Sequence, residues 1–272
     1  MSVTRPALLV DAHAHVFTLD MPLINNPRHS PTYSFPLDDY LAQLEANRVS
    51  LGVIAAASPW GDFNDYTREC VKRTPQLRGT VILHPEKLDT YPLDAMTREG
   101  ILGIRLPFIG LRQLPDIRSA PYQRLFKALA DRNWHVHLHV EGRHIPDLLP
   151  HLVNAGPRLV IDHLGRPEPE AVKDAPAFKP IVDAVNRGEA WIKASCGYRI
   201  GPVAEEHFTA FLNECGPDRL FWASDCPFVG HEGELEYRDT IDWLARLLTR
   251  DSDARKIFGE NARDFYFPEM LT

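Results

Sequence analysis

Cysteine is scarce in this chain. There are four among 272 residues, Cys70, Cys196, Cys215 and Cys226, and none stand in a CxxC pair. That excludes a disulfide framework and reads as reduced thiols in a cytoplasmic protein. Long apolar runs are also missing. No stretch approaches the roughly 18 residues of a membrane span, and no hydrophobic leader precedes the first strand, so neither a span nor a signal peptide is expected. Positive charge is in deficit: 30 Lys and Arg against 37 Asp and Glu give a net charge of −7. A general binder of nucleic acid or anionic membrane is therefore not expected. A pocket that is locally basic, for an acidic small molecule, remains compatible with that balance. The ordinary 44% of hydrophobic residues is enough to bury a sizeable core.

The stretch around which the rest is organised is Ala7-Leu-Leu-Val-Asp11-Ala-His13-Ala-His15-Val-Phe17. Its apolar start, Leu8 to Val10, is short enough for a buried strand. His13 and His15 are two apart, so on an extended chain they project from the same face. Two imidazoles so placed can chelate a metal or polarise one carbonyl oxygen. A Gly-rich phosphate turn, which an open dinucleotide-binding sheet would carry here, is absent.

Further along, a segment rich in Pro, Asn and Ser runs from Met21 to Phe35 and contains Arg28, His29 and Tyr33. A loop of that length in a compact domain is usually functional or disordered. Beyond it, short apolar runs at residues 51–57, 78–83, 101–105, 134–140, 158–163, 190–195 and 219–225 read as strands. Between them lie stretches with i, i+3, i+4 apolar spacing, such as Leu37, Tyr40, Leu41 and Leu44, that read as helices. Two further helices, about 237–248 and 253–265, close the chain. Eight strands alternating with eight or nine helices, with no break in composition, predict one domain over residues 1–272, a single (β/α)₈ barrel.

Such a barrel carries its active site at the C-terminal ends of the strands. Those ends hold His13, His15, Ser58, Arg105, His139, His163, Ser195 and Asp225. The fifth strand places His135, His137 and His139 on one face, and three ligands cannot sit at one height. His139, nearest the C-terminal end, is the functional candidate, and the other two belong lower in the barrel. Asp225 follows an apolar strand, so its carboxylate needs a partner or a shifted pKa. Asp162 reads as structural.

Taken together, the words Asp11-Ala-His-Ala-His-Val-Phe17, Gly103-Ile-Arg105, Trp134-His-Val136, Val160-Ile-Asp-His-Leu-Gly-Arg-Pro167, Trp222-Ala-Ser-Asp-Cys-Pro227 and Asn261-Ala-Arg263 resemble the amidohydrolase superfamily. Within it they are similar to the branch of 2-pyrone-4,6-dicarboxylate lactonase-like hydrolases. The resemblance covers nearly the whole chain. It implies hydrolysis of a lactone or related ester, with Asp225 as general base and His13, His15 and His163 polarising the carbonyl, directly or beside a metal. It also implies that Arg105, Tyr33 and Arg199 hold substrate carboxylates, with Ser58 and His139 as further contacts. Arg112 and Tyr198, in loops at the same face, could hold a second carboxylate and read equally well as loop packing or surface pairing. Strand four ends in Arg105 where a carbamylated lysine would be needed, which disfavours a two-metal centre. The pyrone lactonase of this branch works without metal and lacks a strand-five histidine, whereas zinc-dependent relatives have one, as His139 is here. Cys226 stands where Trp is common. One zinc ion on His13, His15, His139 and Asp225 and a metal-free site are both left open. So are two other activities: a zinc-dependent decarboxylase of an unsaturated acid using the same residues, and a binding protein on an inactive barrel.

Overall fold

The computed structural model describes residues 3–169 and 171–271. Eight parallel strands follow one another in sheet order: β1 Val10–Ala14, β2 Leu51–Ile54, β3 Leu77–Val81, β4 Ile101–Pro107, β5 His135–His139, β6 Arg158–Ile161, β7 Ala190–Ala194 and β8 Leu220–Trp222. The ladder runs unbroken from β1 to β8. It is closed by contacts just beyond the last strand: Asp225 N–H donates to His13 O and His15 N–H to Cys226 O, both at 2.8 Å. The result is the expected (β/α)₈ barrel.

The outer helices are α1 Leu37–Ala46, α2 Asp65–Arg73, α3 Leu93–Glu99, α4 Ala120–Ala130, α5 Ile145–Asn154, α6 Phe178–Asn186, α7 Gly197–Ile200, α8 Val203–Cys215, α9 Tyr237–Ala245, α10 Asp251–Arg255 and α11 Asn261–Tyr266. None is long and apolar enough to cross a membrane. Their apolar stripes explain the packing: Leu125, Phe126 and Leu129 of α4, and Leu148, Leu149 and Leu152 of α5, are buried against the barrel wall.

Several expected boundaries move, and two of the shifts bear on the site and the core. The first strand begins later than Leu8 and extends through Ala14, so His13 lies within it. The single closing helix expected over 253–265 is interrupted by a π-helical turn, Lys256–Glu260. That turn presses Ile257, Phe258 and Gly259 into the core, and a Cβ on Gly259 would lie 2.4 Å from Leu8 O. Close backbone approach therefore requires the glycine, and the irregular turn makes the approach.

The barrel floor is apolar. Val10, Ala12, Leu51, Val53, Val160, Phe221 and Ala223 meet Phe265, Tyr266 and Phe267 at the end of α11. Above this floor the strands and their ends bury His13, Arg105, His137, His139, Asp162 and Lys193, and that change of character sets up the site.

Candidate active site

Asp11 fixes the geometry of the first strand. Its Oδ1 accepts from the backbone N–H groups of Ser224 (2.9 Å) and His13 (3.2 Å). Its Oδ2 accepts from the hydroxyls of Ser224 (2.6 Å), Tyr237 (2.8 Å) and Tyr40 (3.2 Å). One fully buried carboxylate thus ties β1 to the segment after β8 and to α1 and α9. Burial raises its pKa, and the Ser224, Tyr237 and His13 hydrogen bonds oppose that rise.

Asp225 sits three residues beyond β8 with φ of +64°, a left-handed conformation uncommon outside glycine that Asp adopts more readily than most residues. Held there, its Oδ1 lies 3.6 Å from His13 Nε2, 3.5 Å from His15 Nε2 and 3.7 Å from His163 Nε2. Its Oδ2 accepts from Tyr198 Oη at 2.7 Å and from Cys196 Sγ at 3.3 Å. Burial alone would raise the Asp225 pKa, but the surrounding imidazoles, His163 foremost, hold it well below the usual carboxylate range. His163 itself adopts φ of +55° after β6, with Nδ1 2.8 Å from Ser195 Oγ. Burial pushes it down to about 3, so it is neutral at ordinary pH.

Behind this cluster a column of buried polar groups descends the barrel. Asp162 lies between two cations: Arg105 Nε donates to Oδ2 at 3.0 Å, and Lys193 Nζ is 3.1 Å from Oδ1. Lys193, wholly buried on β7, also contacts His13 Nδ1 (2.9 Å) and His137 Nδ1 (3.0 Å), and His137 Nε2 reaches Tyr266 Oη (3.0 Å). Burial lowers Lys193 to about 8, while Asp162 opposes that shift. His135 and His137 therefore lie low in the barrel, as their place on β5 predicts.

The pocket itself is lined by His15, Ser58, Arg105, His139, His163, Arg199 and Asp225, with Phe17 and Trp60 stacked at its wall. His13 stands behind it, fully buried. Arg105 lines the pocket but is heavily engaged, donating also to Ala56 O and contacting His139 Nδ1, each at 3.0 Å. Tyr33 is placed elsewhere: its ring packs on Phe17, and its hydroxyl donates to Glu232 at 3.2 Å. Its loop contributes Arg28 and His29 to the pocket instead. Arg112 is exposed and outside the pocket lining.

Some residues went unassigned or were assigned otherwise from sequence. Sequence does not single out Cys196, and Tyr198, which reads there as a carboxylate contact or loop packing, instead donates to Asp225. Both are brought there by the short helix α7, which has no apolar periodicity to reveal it. Lys193 left a clearer trace, a lysine inside the apolar run Trp191-Ile-Lys-Ala194.

Among the described residues, three groups place ligand atoms within 4.8 Å of one another: His13, His137 and Asp162; His13, His163 and Asp225; and His139, Asp162 and His163. A tetrahedral zinc with bonds of about 2.0–2.1 Å has ligand–ligand edges of about 3.3–3.4 Å. The 3.3 Å between His13 and His15 Nε2, and the Asp225 contacts, have that spacing. Of the expected set of His13, His15, His139 and Asp225, the first two histidines and Asp225 lie together, while His139 groups with Asp162 and His163. Hydrogen-bond partners add a second disagreement. An imidazole bound to metal donates its other N–H to a carboxylate, carbonyl or water. His15 meets that condition through Nδ1 and Ala55 O at 2.7 Å. His13 Nδ1 faces both the Lys193 ammonium (2.9 Å) and a carboxylate oxygen of Asp162 (3.4 Å), whereas His139 presents Nδ1 to Arg105, which donates. The spacing suits an ion, and the cluster of His13, His163 and Asp225 could hold a divalent one; only the tautomer that Arg105 imposes on His139 does not fit a ligand.

An ionised carboxylate ringed by imidazoles at the C-terminal mouth of a (β/α)₈ barrel is the layout of a hydrolase in which a carboxylate activates water. The Amidohydrolase family model matches residues 10–267, and the chain belongs to that family. A 4-sulfomuconolactone hydrolase of Rhizobium radiobacter is 28% identical over 248 residues, 88% of this chain and 82% of that one. A 2-pyrone-4,6-dicarboxylate hydrolase of Comamonas testosteroni is 26% identical over 98% of this chain and 92% of its own. A crystal structure described as a putative 2-pyrone-4,6-dicarboxylic acid hydrolase from Pseudomonas putida superposes with TM-score 0.87. It has 32% identity, covering 95% of this chain and 97% of that one. A Burkholderia multivorans amidohydrolase with bound zinc (16%, TM-score 0.77) and a 2,6-dihydroxybenzoate decarboxylase (15%, TM-score 0.62) share the fold alone.

Proposed function

We propose that this enzyme opens the lactone ring of a small compound carrying anionic groups. The observation that carries this reading is the placement of Asp225 Oδ1 within 3.5–3.7 Å of three imidazole Nε2 atoms at the pocket. The relatives named as lactone hydrolases support it. The decarboxylases share too little sequence to support more than the barrel.

In this reading water attacks the lactone carbonyl carbon. Asp225 takes the water proton as the new C–O bond forms, and the carbonyl electrons move onto its oxygen. His15 and His163 stand beside that oxygen. When the tetrahedral intermediate collapses, the ring C–O bond breaks, and the proton on Asp225 passes to the departing oxygen. A general base of this kind contributes about 10²–10⁴-fold. The Tyr198 hydroxyl, itself receiving a hydrogen bond from Arg199 at 3.1 Å, holds Asp225 in place.

Charge selects the substrate. Arg28 lines the pocket and has no hydrogen-bond or ion-pair partner among the described residues; burial, then Arg166 and Arg199, lower its pKa. An exposed guanidinium with no such partner, at the pocket lining, fits a carboxylate or sulfonate, which it can hold bidentately. No step in this scheme requires an ion. Direct evidence would come from a panel of lactones with zero, one and two anionic groups, with ring opening followed by absorbance and acid release. Turnover confined to anionic lactones is expected. Release of CO₂ from an unsaturated acid, with every lactone left intact, would overturn the reading.

A further inference from the structure

We propose that His139 is a catalytic hydrogen-bond donor to the developing oxyanion, and that Arg105 is the positioning residue that makes it a donor. The inference rests on the lactone reading for its substrate and on hydrogen-bond chemistry for its tautomer.

Arg105 Nη2 lies 3.0 Å from His139 Nδ1. A guanidinium donates and cannot accept, so Nδ1 must offer its lone pair. The one ring proton of a neutral imidazole then resides on Nε2. Arg105 cannot turn away to release this constraint. Its Nε is committed to Asp162 at 3.0 Å, its Nη1 donates to Ala56 O at 3.0 Å, and its side chain is buried. His139 Nε2 is itself buried and has no hydrogen-bond partner among the described residues. The residue lines the pocket, and its ring packs edge-on against His163 with centroids 5.0 Å apart. An N–H with no partner among the described residues, on a residue that lines the pocket, is free to serve an acceptor that enters. An anionic oxygen that forms during reaction is the acceptor such a preorganised donor serves best. The same tautomer carries no lone pair on Nε2 toward the pocket, so His139 is not a metal ligand there.

The test begins with ¹⁵N-detected imidazole NMR on the full-length protein without substrate, with His139 assigned by its loss in His139→Gln. Protonated Nε2 and bare Nδ1 are expected; a protonated Nδ1 overturns the proposal. Kinetics form the second arm. His139→Leu should lower kcat by about 10²–10³-fold with KM little changed, the loss typical of one oxyanion donor. His139→Gln, whose amide N–H can reach the same space, should recover a substantial part of that loss. Equal loss in both variants overturns the catalytic role. Zinc alone is the third probe: a zinc affinity in His139→Leu equal to that of the unaltered protein is expected, and a lost affinity overturns the tautomer. The NMR arm needs no turnover, so failure of the lactone reading and failure of the tautomer are told apart.

Discussion

Arg105 and Asp162 form a buried ion pair, Nε to Oδ2 at 3.0 Å, at the level where β4 and β6 meet the pocket. Both side chains are almost wholly withdrawn from water. Removing one partner of such a pair leaves an uncompensated charge, which costs about 3–5 kcal/mol. Arg105→Met should therefore lower stability by that order in urea unfolding at neutral pH. A loss below about 1 kcal/mol would mean that Lys193 alone satisfies Asp162.

Asp225→Asn conserves shape while removing the charge that accepts a proton. Turnover of the responsive lactone should fall at least about 10²-fold, with the circular dichroism spectrum unchanged. Retained activity would exclude Asp225 as base.

Tyr198→Phe deletes the 2.7 Å donor to Asp225 Oδ2. A hydrogen bond to a charged acceptor is worth about 1.5–3 kcal/mol, so kcat/KM should fall roughly tenfold or more. Because the lost bond favours the ionised carboxylate, the acidic limb of the pH–rate profile should move to higher pH. An unmoved limb would show that the phenol only packs there.

Arg28→Met should raise KM for anionic lactones far more than for neutral ones, with kcat less affected. Equal effects on both classes would assign Arg28 to loop structure.

Stability should fall on acidification. His13, His135, His137, His139 and His163 are all pushed below the ordinary imidazole value, first by burial, and His163 reaches about 3. Below about pH 6.5 the unfolded chain binds protons at these positions that the fold does not accept. Unfolding then takes up protons, so stability declines as pH drops from about 6.5 toward 3. Asp11, raised by burial, acts in the opposite sense, one group against five. Urea midpoints at about pH 7.5 and about pH 5 decide the matter; a higher midpoint in acid contradicts it.

The barrel was legible because its strands are short apolar runs spaced by helical stripes, a local signal. The strand ends gave His15, His163, Asp225, Ser58 and Arg105 their shared pocket for the same reason. What sequence hid was pairing across the barrel. That Arg105 faces His139 and Asp162 depends on strand register and tilt, which apolar periodicity does not encode. Tyr33 and Arg28 lie five residues apart in one irregular loop, and which of them enters the pocket is set by tertiary packing: Tyr33 settles against Phe17 and Glu232. Lys193 could have been flagged, since a lysine amid apolar strand residues either pairs inside or breaks the strand.

The apolar floor supplied by Phe265, Tyr266 and Phe267 is built from a segment that leaves the ribosome after all eight strands. Until it docks, Lys193, His137 and Asp162 face an open lower end through which solvent can reach them, and the Tyr266 hydroxyl that caps His137 is missing. A chain cut short before Asn261 would thus retain every pocket residue and still lose the dry interior that sets their protonation. The competence of the mouth of the barrel is decided at its opposite end, by a segment synthesised after every strand.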